Sequence, residues 1–233
     1  MKNPFKLLDK IDWIIYLFSL VIVSVTSFIG PFDLLNFMSI ITGVTMLIFM
    51  AKGHVIGQVL SFIFAIFYSV KSFGLAYYGE VLISVCLMIP LSVFSIISWA
   101  RNPYKKGENV VKISKLSCGD KVLCLILTIT VTVAFYFILK ALNTNNLMVS
   151  TISIFTSFWA SYLLIKRSTY YAIAYTMNDI VLIVLWALAT IKEISNISVA
   201  VCFLIFLIND LYGFILWKKR EKHQGLTKQK TSL

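Results

Sequence analysis

The chain has 233 residues, of which 59% are hydrophobic and only 13% are charged, and its mean hydropathy is +0.89. Because charged residues make up about a quarter of a typical soluble domain, this composition excludes an ordinary water-soluble enzyme or binding domain. The net charge of +11 does not indicate nucleic-acid binding. The basic residues lie in loops and tails, where they fix membrane orientation and contact anionic lipid.

Eight apolar segments are each long enough to cross a bilayer, for which about 20 residues are needed. They cover approximately residues 12–29, 34–51, 54–71, 79–100, 121–140, 147–165, 170–190 and 197–217. Their polar residues do not alternate at every second position, as the strands of a membrane barrel would require. The sequence therefore predicts an all-α, polytopic membrane protein.

The basic residues are distributed unequally between the two sides that this topology defines. With eight crossings both termini share one side, which then holds 18 of the Lys and Arg residues, and the other side holds 3. Such a bias is typical of cytoplasmic loops. The sequence therefore predicts that both termini are cytoplasmic.

Several classes of function lack their sequence signatures. The chain contains no GxxxxGK[ST] loop for ATP and no HExxH zinc motif, and its only histidines are His54 and His223. The cysteines are interpreted as small, buried apolar residues rather than metal or redox sites, because none forms a CxxC pair. These cysteines are Cys86, Cys118, Cys124 and Cys202. We expect neither a cofactor nor a metal.

A weak internal repeat relates two parts of the chain. Residues 37–43 resemble 151–157 at an offset of 114, which also pairs Lys52 with Lys166, and 94–99 resemble 212–217 at an offset of 118. A single helix between two three-helix units would make them parallel repeats. The predicted organisation is an N-terminal tail and extra helix (1–33), repeat 1 (34–100), a basic loop and linker helix (101–146), repeat 2 (147–217) and a basic, disordered tail (218–233).

Two Asn-Asp pairs lie deep in consecutive apolar segments, Asn178-Asp179 and Asn209-Asp210. Ionisable groups inside a membrane are expensive and usually functional, although they also hydrogen-bond between helices. Tyr171, Tyr175 and Asn178 share a helix face with Asp179 and Trp186, as their spacing shows. An aromatic stripe with amide and carboxyl groups suits a flat heterocycle that carries hydroxyls.

The predicted substrate-binding residues come from both halves. They are Gln58, Tyr68, Ser92, Trp159, Tyr162, Tyr171, Tyr175, Asn178, Asp179, Trp186, Asn209 and Asp210. By contrast, Trp13, Trp99 and Trp217 lie near segment ends and are interpreted as interfacial anchors. Pro90 is expected to bend the fourth helix.

Three motifs resemble those of PnuC-type vitamin transporters, over about residues 34–220. They are Phe67-Tyr68-Ser69-Val70-Lys71 followed by Tyr78-Gly79-Glu80, the Pro90 helix that ends in Trp99, and the run from Asn209-Asp210-Leu211-Tyr212-Gly213 to Trp217-Lys218. The resemblance implies a three-plus-one-plus-three helix core with an added N-terminal helix, and a homotrimer in a bacterial plasma membrane. It also implies facilitated diffusion, with trapping of the solute by a cytoplasmic nucleoside kinase.

Family substrates include nicotinamide riboside, thiamine, riboflavin and deoxynucleosides. Nicotinamide riboside transporters usually carry a W-x-x-W-x-x-x-N run in the penultimate helix, and here Tyr171 and Ala174 stand at the tryptophan positions before Asn178. The glutamine that usually follows the helix proline is also missing after Pro90. These departures favour a neutral deoxynucleoside, with nicotinamide riboside as the alternative, followed by thiamine or another vitamin.

Two other classes are consistent with part of the pattern. Asp179 and Asp210 would form the dyad of an intramembrane aspartyl protease if they met, but the Tyr-Asp and Gly-x-Gly-Asp motifs of those enzymes are absent. A membrane scaffold without transport activity is the third class. Small-solute binding by the purified protein separates a transporter from a scaffold.

Overall fold

The computed structural model describes residues 4–28, 32–74, 78–105, 107–144 and 146–230, with side chains described everywhere except at 78, 79, 195 and 226–230. Over these ranges the regular secondary structure is helical, as predicted, and the loops contain two isolated β-bridges. The helices are α1 (Lys10–Thr26), α2 (Leu34–Ala51), α3 (Val55–Gly74), α4 (Tyr78–Ile83), α5 (Ile89–Ala100), α6 (Cys118–Ala141), α7 (Leu147–Ile165), α8 (Tyr171–Lys192) and α9 (Ile197–Lys230). A π-helical turn, Ser84–Met88, joins α4 to α5.

Seven stretches in the described ranges are long and apolar enough to span a membrane: α2, α3, Glu80–Ala100, α6, α7, α8 and Ile197–Gly225. The remaining predicted span, α1, has 17 residues. At ~1.5 Å per residue α1 reaches ~25 Å, slightly less than the ~30 Å hydrocarbon core. The structure therefore contains seven full-length spans and one shorter helix.

Helix α1 lies on the outside of α2 and α9, and polar contacts along α1 fix it there. Its buried Asp12 pairs with Lys52 Nζ at the end of α2, at 2.5 Å. Further along, the hydroxyl of Tyr16 lies 3.0 Å from that of Thr45, in the middle of α2. Helix α1 is therefore antiparallel to α2, and the N-terminal end of α1 lies at the level of Lys52.

Asp33 begins α2 at the opposite end of the bundle. Its side chain accepts a hydrogen bond from the backbone N–H of Asn36 at 3.1 Å and one from Lys71 Nζ at 2.7 Å. Partial burial raises the pKa of Asp33, but these hydrogen bonds outweigh that effect and hold the pKa below its usual value. The residue both caps α2 and ties it to the end of α3.

The turns after α2 and α7 have the same hydrogen-bond pattern. In each, two N–H groups bond back to carbonyls three and five residues earlier, at 2.8 and 2.9 Å after α2 and at 2.9 and 3.0 Å after α7. This is a Schellman C-cap, which requires one residue in the left-handed region. Gly53 (φ 62°) takes that position after α2 and Arg167 (φ 57°) after α7.

The bend expected at Pro90 is a π-helical turn. Proline has no backbone N–H and its ring clashes with the preceding turn, and the structure accommodates this by a wider turn just before it. The backbone N–H of Ile89 reaches the carbonyl of Ser84, five residues earlier. Such π-bulges are frequent at functional sites.

Among the described residues, six membrane segments surround the centre of the molecule, if α4, the π-helical turn and α5 are counted as one. The other five are α2, α3, α7, α8 and α9, and α6 lies outside them against α7. Where the halves meet, α2 packs on α9 and α5 packs on α7. In terms of the predicted repeats, the first helix of each unit contacts the last helix of the other unit. Much of α6 faces outward, including Val122 and Leu125, each 56% exposed.

The predicted disorder of the tail after Lys218 is wrong over the described residues, because α9 continues to Lys230. Two contacts hold the part of α9 that follows the predicted segment 197–217. Arg220 Nη2 donates to the carbonyl of Lys52 at 2.6 Å, and the Gln224 side chain accepts from the N–H of Ile113 at 2.9 Å. The basic loop and the α2–α3 turn thus pack against the end of α9.

Candidate functional site

A central cavity lies among the helices of the two predicted repeats. Its lining comes from α2, α3, α4 with the turn and α5, α7, α8 and α9, and includes no residue of α1 or α6. Its volume is about 70 Å³. The space is narrow, so the helices must separate further to admit a solute of nucleoside size.

Asn178 of α8 projects into the cavity with its orientation fixed. Its Oδ1 accepts hydrogen bonds from the hydroxyls of Thr156 and Ser157 on α7, each at 2.8 Å. Since both donors occupy the amide oxygen, the NH₂ group remains to donate to another acceptor. The neighbouring helix therefore presents Asn178 as a hydrogen-bond donor.

Asp179 and Asp210 bring two carboxyl groups together in the same cavity. They are 2% and 4% exposed, and their side chains lie within hydrogen-bonding reach of each other. The cavity lining contains no Lys, Arg or His. The pair therefore has no cationic side chain in the cavity to balance a negative charge, and a buried unbalanced charge is strongly unfavourable.

A third carboxyl group, that of Glu80, belongs to a series of hydrogen-bonded side chains that connects the two halves. The hydroxyl of Tyr68 donates to Glu80 Oε2 at 3.0 Å and accepts from the indole N–H of Trp186 at 3.0 Å. The other oxygen of Glu80, Oε1, is buried without a partner. These hydrogen bonds hold Tyr68 and Glu80 rigidly beside the cavity.

Two more polar side chains are buried at the cavity without hydrogen-bond partners. Both side-chain atoms of Gln58, which is 0% exposed, are unpaired, and so is the hydroxyl of Ser153, which is 1% exposed. A buried polar group that lacks a partner costs about 1–3 kcal/mol. Such groups aimed into a cavity indicate that a polar ligand or water occupies it.

An aromatic layer closes the end of the cavity that lies towards Lys52. The Tyr171 ring packs edge-on against Trp217 with centroids 4.7 Å apart, and Trp217 lies 5.5 Å from Trp99. All three are at most 1% exposed. The expectation that Trp99 and Trp217 are interfacial anchors is wrong, because interhelix packing buries both rings completely. We call these three residues the aromatic floor.

Seven of the predicted binding residues line the cavity. They are Gln58, Tyr68, Ser92, Tyr175, Asn178, Asp179 and Asp210. Tyr175 is fixed by its hydroxyl, which lies 3.0 Å from that of Ser161. The structure thus gathers residues that are far apart in the chain into one site.

The other five predicted residues lie elsewhere. Tyr171 belongs to the aromatic floor, and Trp186 lies behind Tyr68. Asn209 donates to Ser19 of α1 at 3.3 Å, which makes it an interhelix contact. Trp159 lines a surface groove formed with α6. Tyr162 lies beside Lys166, whose Nζ is 5.7 Å from the ring centre.

The sequence interpretation missed Glu80 and the serines of α7. Ser153, Ser157 and Ser161 recur every four residues, so they form one polar stripe facing the cavity. That spacing was visible in the sequence. Glu80 was visible too, as a carboxylic residue at the start of an apolar segment.

The cysteines show no metal site. Cys86 and Cys118 are exposed, contrary to the expectation of burial, whereas Cys124 and Cys202 are buried. Among the described residues, no group of three or more His, Cys, Asp or Glu side chains is placed to hold a metal ion.

Six membrane helices around a polar, carboxyl-lined cavity define the class of polytopic membrane proteins that handle a small polar solute. Comparison with known proteins then identifies the family. The chain belongs to the family described as nicotinamide mononucleotide transporters, whose family profile matches residues 33–219. The predicted relationship to PnuC-type transporters is confirmed.

Individual relatives agree with this assignment. The chain is 24% identical over 202 residues to a nicotinamide riboside transporter PnuC from Neisseria mucosa, covering 84% of this chain and 76% of that protein. It also matches a solved structure, the crystal structure of the vitamin B3 transporter PnuC, with a TM-score of 0.79 and 21% identity over 93% of this chain and 94% of the other. The structural match establishes the fold. These relatives are transporters rather than enzymes, so the aspartyl-protease interpretation is not supported.

Proposed function

We propose that the protein transports nicotinamide riboside across the membrane. The central observation is a cavity that contains three carboxyl side chains, those of Glu80, Asp179 and Asp210, and no cationic side chain. Nicotinamide riboside carries one positive charge on its pyridinium ring, and the carboxyl groups complement that charge. The name of the Neisseria relative gives the same substrate.

The same charge pattern disfavours the mononucleotide that appears in the family description. A phosphate group adds about −1.5 to −2 charges near neutral pH, and the cavity offers it no Lys, Arg or His. Beside Asp179 and Asp210 such a charge would be repelled rather than bound. The site therefore favours the riboside over its phosphate ester.

The expectation of a neutral deoxynucleoside is not supported. It relied on the missing tryptophans at Tyr171 and Ala174 and on the missing glutamine after Pro90. In the structure Tyr171 belongs to the aromatic floor, so position 171 does not line the cavity. Meanwhile Gln58 supplies a buried amide from another helix. The two sequence departures therefore do not define a neutral site.

The polar side chains complement the rest of the substrate. The NH₂ group of Asn178 can donate to a ribose hydroxyl or a carboxamide oxygen, and Gln58 both donates and accepts. The rings of Tyr175 and Phe203 also line the cavity and offer apolar contact for a flat heterocycle. These groups match the three parts of nicotinamide riboside: ring, carboxamide and ribose.

We infer transport by alternating separation of the two halves, without an energy-coupling domain. The aromatic floor would open on the side of both termini, which in this proposal is the cytoplasmic side because it carries most of the basic residues. In this proposal the halves are parallel repeats, the assembly is a homotrimer, and a cytoplasmic kinase traps the riboside by phosphorylation. Family membership supports these features.

Calorimetric titration of the detergent-purified protein tests the substrate. The panel comprises nicotinamide riboside, nicotinamide mononucleotide, thymidine, deoxyadenosine and thiamine. Tight binding of nicotinamide riboside, with at least tenfold weaker binding of the mononucleotide, is expected. Tight binding of thymidine or deoxyadenosine without a response to nicotinamide riboside would refute the proposal and restore the neutral-nucleoside interpretation.

A further inference from the structure

The transport proposal uses the Asp179–Asp210 pair to complement the charge of the substrate, but does not account for the pair when the site is empty. The two carboxyl groups come from adjacent helices, α8 and α9, and meet inside the cavity at 2% and 4% exposure. One oxygen, Asp179 Oδ2, is buried without a hydrogen-bond partner. Two carboxylates in contact repel each other, so such a pair retains at least one proton.

The surroundings of the pair contain no compensating cation. The titratable groups that face it are Tyr171 and Tyr175 from α8 and Cys202 from α9. Across the cavity lie Tyr68 from α3 and Glu80 from α4, whereas α2, α5 and α7 contribute only hydroxyl and apolar side chains. Arg220 is not part of the cavity lining, and its guanidinium lies 5.8 Å from the Trp217 ring of the aromatic floor.

A separate observation indicates that a ligand completes this site. Gln58 is fully buried, lines the same cavity, and has both polar side-chain atoms unpaired. A buried amide of this kind forms its hydrogen bonds with a bound ligand or with water in the cavity. The carboxyl pair and the unpaired amide therefore belong to one binding site, in which the ligand supplies both charge and hydrogen bonds.

We propose that Asp179 and Asp210 exchange one positive charge when the substrate binds: the pyridinium ring enters and one of the two carboxyl protons leaves. The inference rests on the proposed function. In the empty site both carboxyl groups are neutral, because no cation balances a carboxylate there. When the cation enters, one carboxyl O–H bond breaks and the proton passes to bulk water. The cavity's net charge is unchanged.

Two consequences distinguish this exchange from simple binding. The apparent affinity for nicotinamide riboside falls as the pH is lowered, with a limit of about tenfold per pH unit. A neutral ligand of the same shape, the 1,4-dihydro form of the riboside, binds without proton release. A purely structural aspartate pair would give neither the pH dependence nor a difference in proton release between the two ligands.

The test is calorimetric titration at pH 7 in phosphate and in Tris, whose ionisation enthalpies differ. The difference in binding heat gives the number of protons released, which we expect to be about one for nicotinamide riboside and none for its dihydro form. Asp210→Asn should abolish the release, whereas Glu80→Gln, which changes the other cavity carboxyl group, should preserve it.

Each outcome has a definite meaning. Binding of nicotinamide riboside without proton release would overturn this inference and leave the proposed function standing. Release that persists in Asp210→Asn and disappears in Glu80→Gln would also overturn it. If nicotinamide riboside does not bind the wild-type protein, both proposals fail. The wild-type measurement in two buffers is decisive even if the variants do not fold.

Discussion

Trp99 and Trp217 make reciprocal hydrogen bonds between the two halves of the protein. The indole N–H of Trp99 donates to the carbonyl of Leu164 at 3.1 Å, and that of Trp217 donates to the carbonyl of Met50 at 3.0 Å. Met50 and Leu164 are 114 positions apart, the offset at which the first helices of the predicted repeats align. Each half therefore closes on the other through the same contact.

This reciprocity predicts similar effects for two substitutions. Trp99→Phe and Trp217→Phe each remove one buried hydrogen bond, while the Leu164 and Met50 carbonyls keep the N–H donors of Arg167 and Gly53. Each substitution should therefore lower the free energy of unfolding by about 0.5–1.5 kcal/mol. Thermal unfolding in detergent measures both. The double variant should depart from additivity by about 0.5–1.5 kcal/mol, because the rings are in contact. A neutral result for one tryptophan alone would contradict the reciprocal arrangement.

Asn178 and Asn209 form a matched pair for separating binding from packing. Asn178 lines the cavity, whereas Asn209 bonds to α1. Asn178→Ala should weaken nicotinamide riboside binding at least tenfold, which corresponds to about 1.4 kcal/mol, with little change in the melting temperature. Asn209→Ala should lower the melting temperature and leave the affinity unchanged. The site assignment fails if the two variants exchange these effects.

Helical spacing predicted the side of α8 on which a residue lies better than the position of that residue relative to the cavity along the helix axis. Tyr171, Asn178 and Trp186 do share one side of α8. However, Tyr171 and Trp186 are 15 positions apart, which corresponds to ~22 Å along the helix. The cavity occupies only the middle of that length, so Tyr171 reaches the aromatic floor and Trp186 reaches the outer side of Tyr68. Periodicity alone does not locate a cavity along a helix.

The adjacent residues Asn209 and Asp210 show a second limit. Neighbours on a helix point about 100° apart, so the two members of a pair do not necessarily face the same site. Asn178 and Asp179 both line the cavity, whereas Asn209 and Asp210 do not both do so. Asp210 lines the cavity and Asn209 bonds to Ser19. Since α1 lies outside the predicted repeats, the sequence did not indicate where it packs. The helix pattern and the polar centre were predictable from composition and segment length, whereas these partners required the three-dimensional arrangement.

The Schellman turns after α2 and α7 predict stability changes of opposite sign. Gly53→Ala places a side chain in the left-handed region and against the guanidinium of Arg220, and should destabilise the protein by about 1 kcal/mol or more. Arg167→Gly relieves the same strain in the equivalent turn. It should therefore be neutral or stabilising in thermal unfolding. Destabilisation by Arg167→Gly as large as that by Gly53→Ala would contradict this interpretation.

The Asp33–Lys71 ion pair predicts a pH-dependent contribution to stability. Because the folded-state pKa of Asp33 is lowered, the pair stabilises the fold above the unfolded value of about 3.9, and this stabilisation is lost as the pH falls through the folded-state pKa. Asparagine preserves the helix cap, so Asp33→Asn removes only the charge.

The melting temperature of Asp33→Asn should lie below that of the wild type at pH 7, and the gap should close below about pH 4. The Asp33 side chain is 40% exposed, so the difference should be less than about 1 kcal/mol. A gap that persists unchanged to pH 3 would show that the charge is not its cause.

Uptake of labelled nicotinamide riboside into liposomes containing the purified protein tests the central claim most directly. We expect uptake well above that of protein-free liposomes, competition by unlabelled riboside but not by nicotinamide mononucleotide or thymidine, and loss of uptake in Asn178→Ala. Transport of thymidine or of the mononucleotide, with no transport of nicotinamide riboside, would contradict the account.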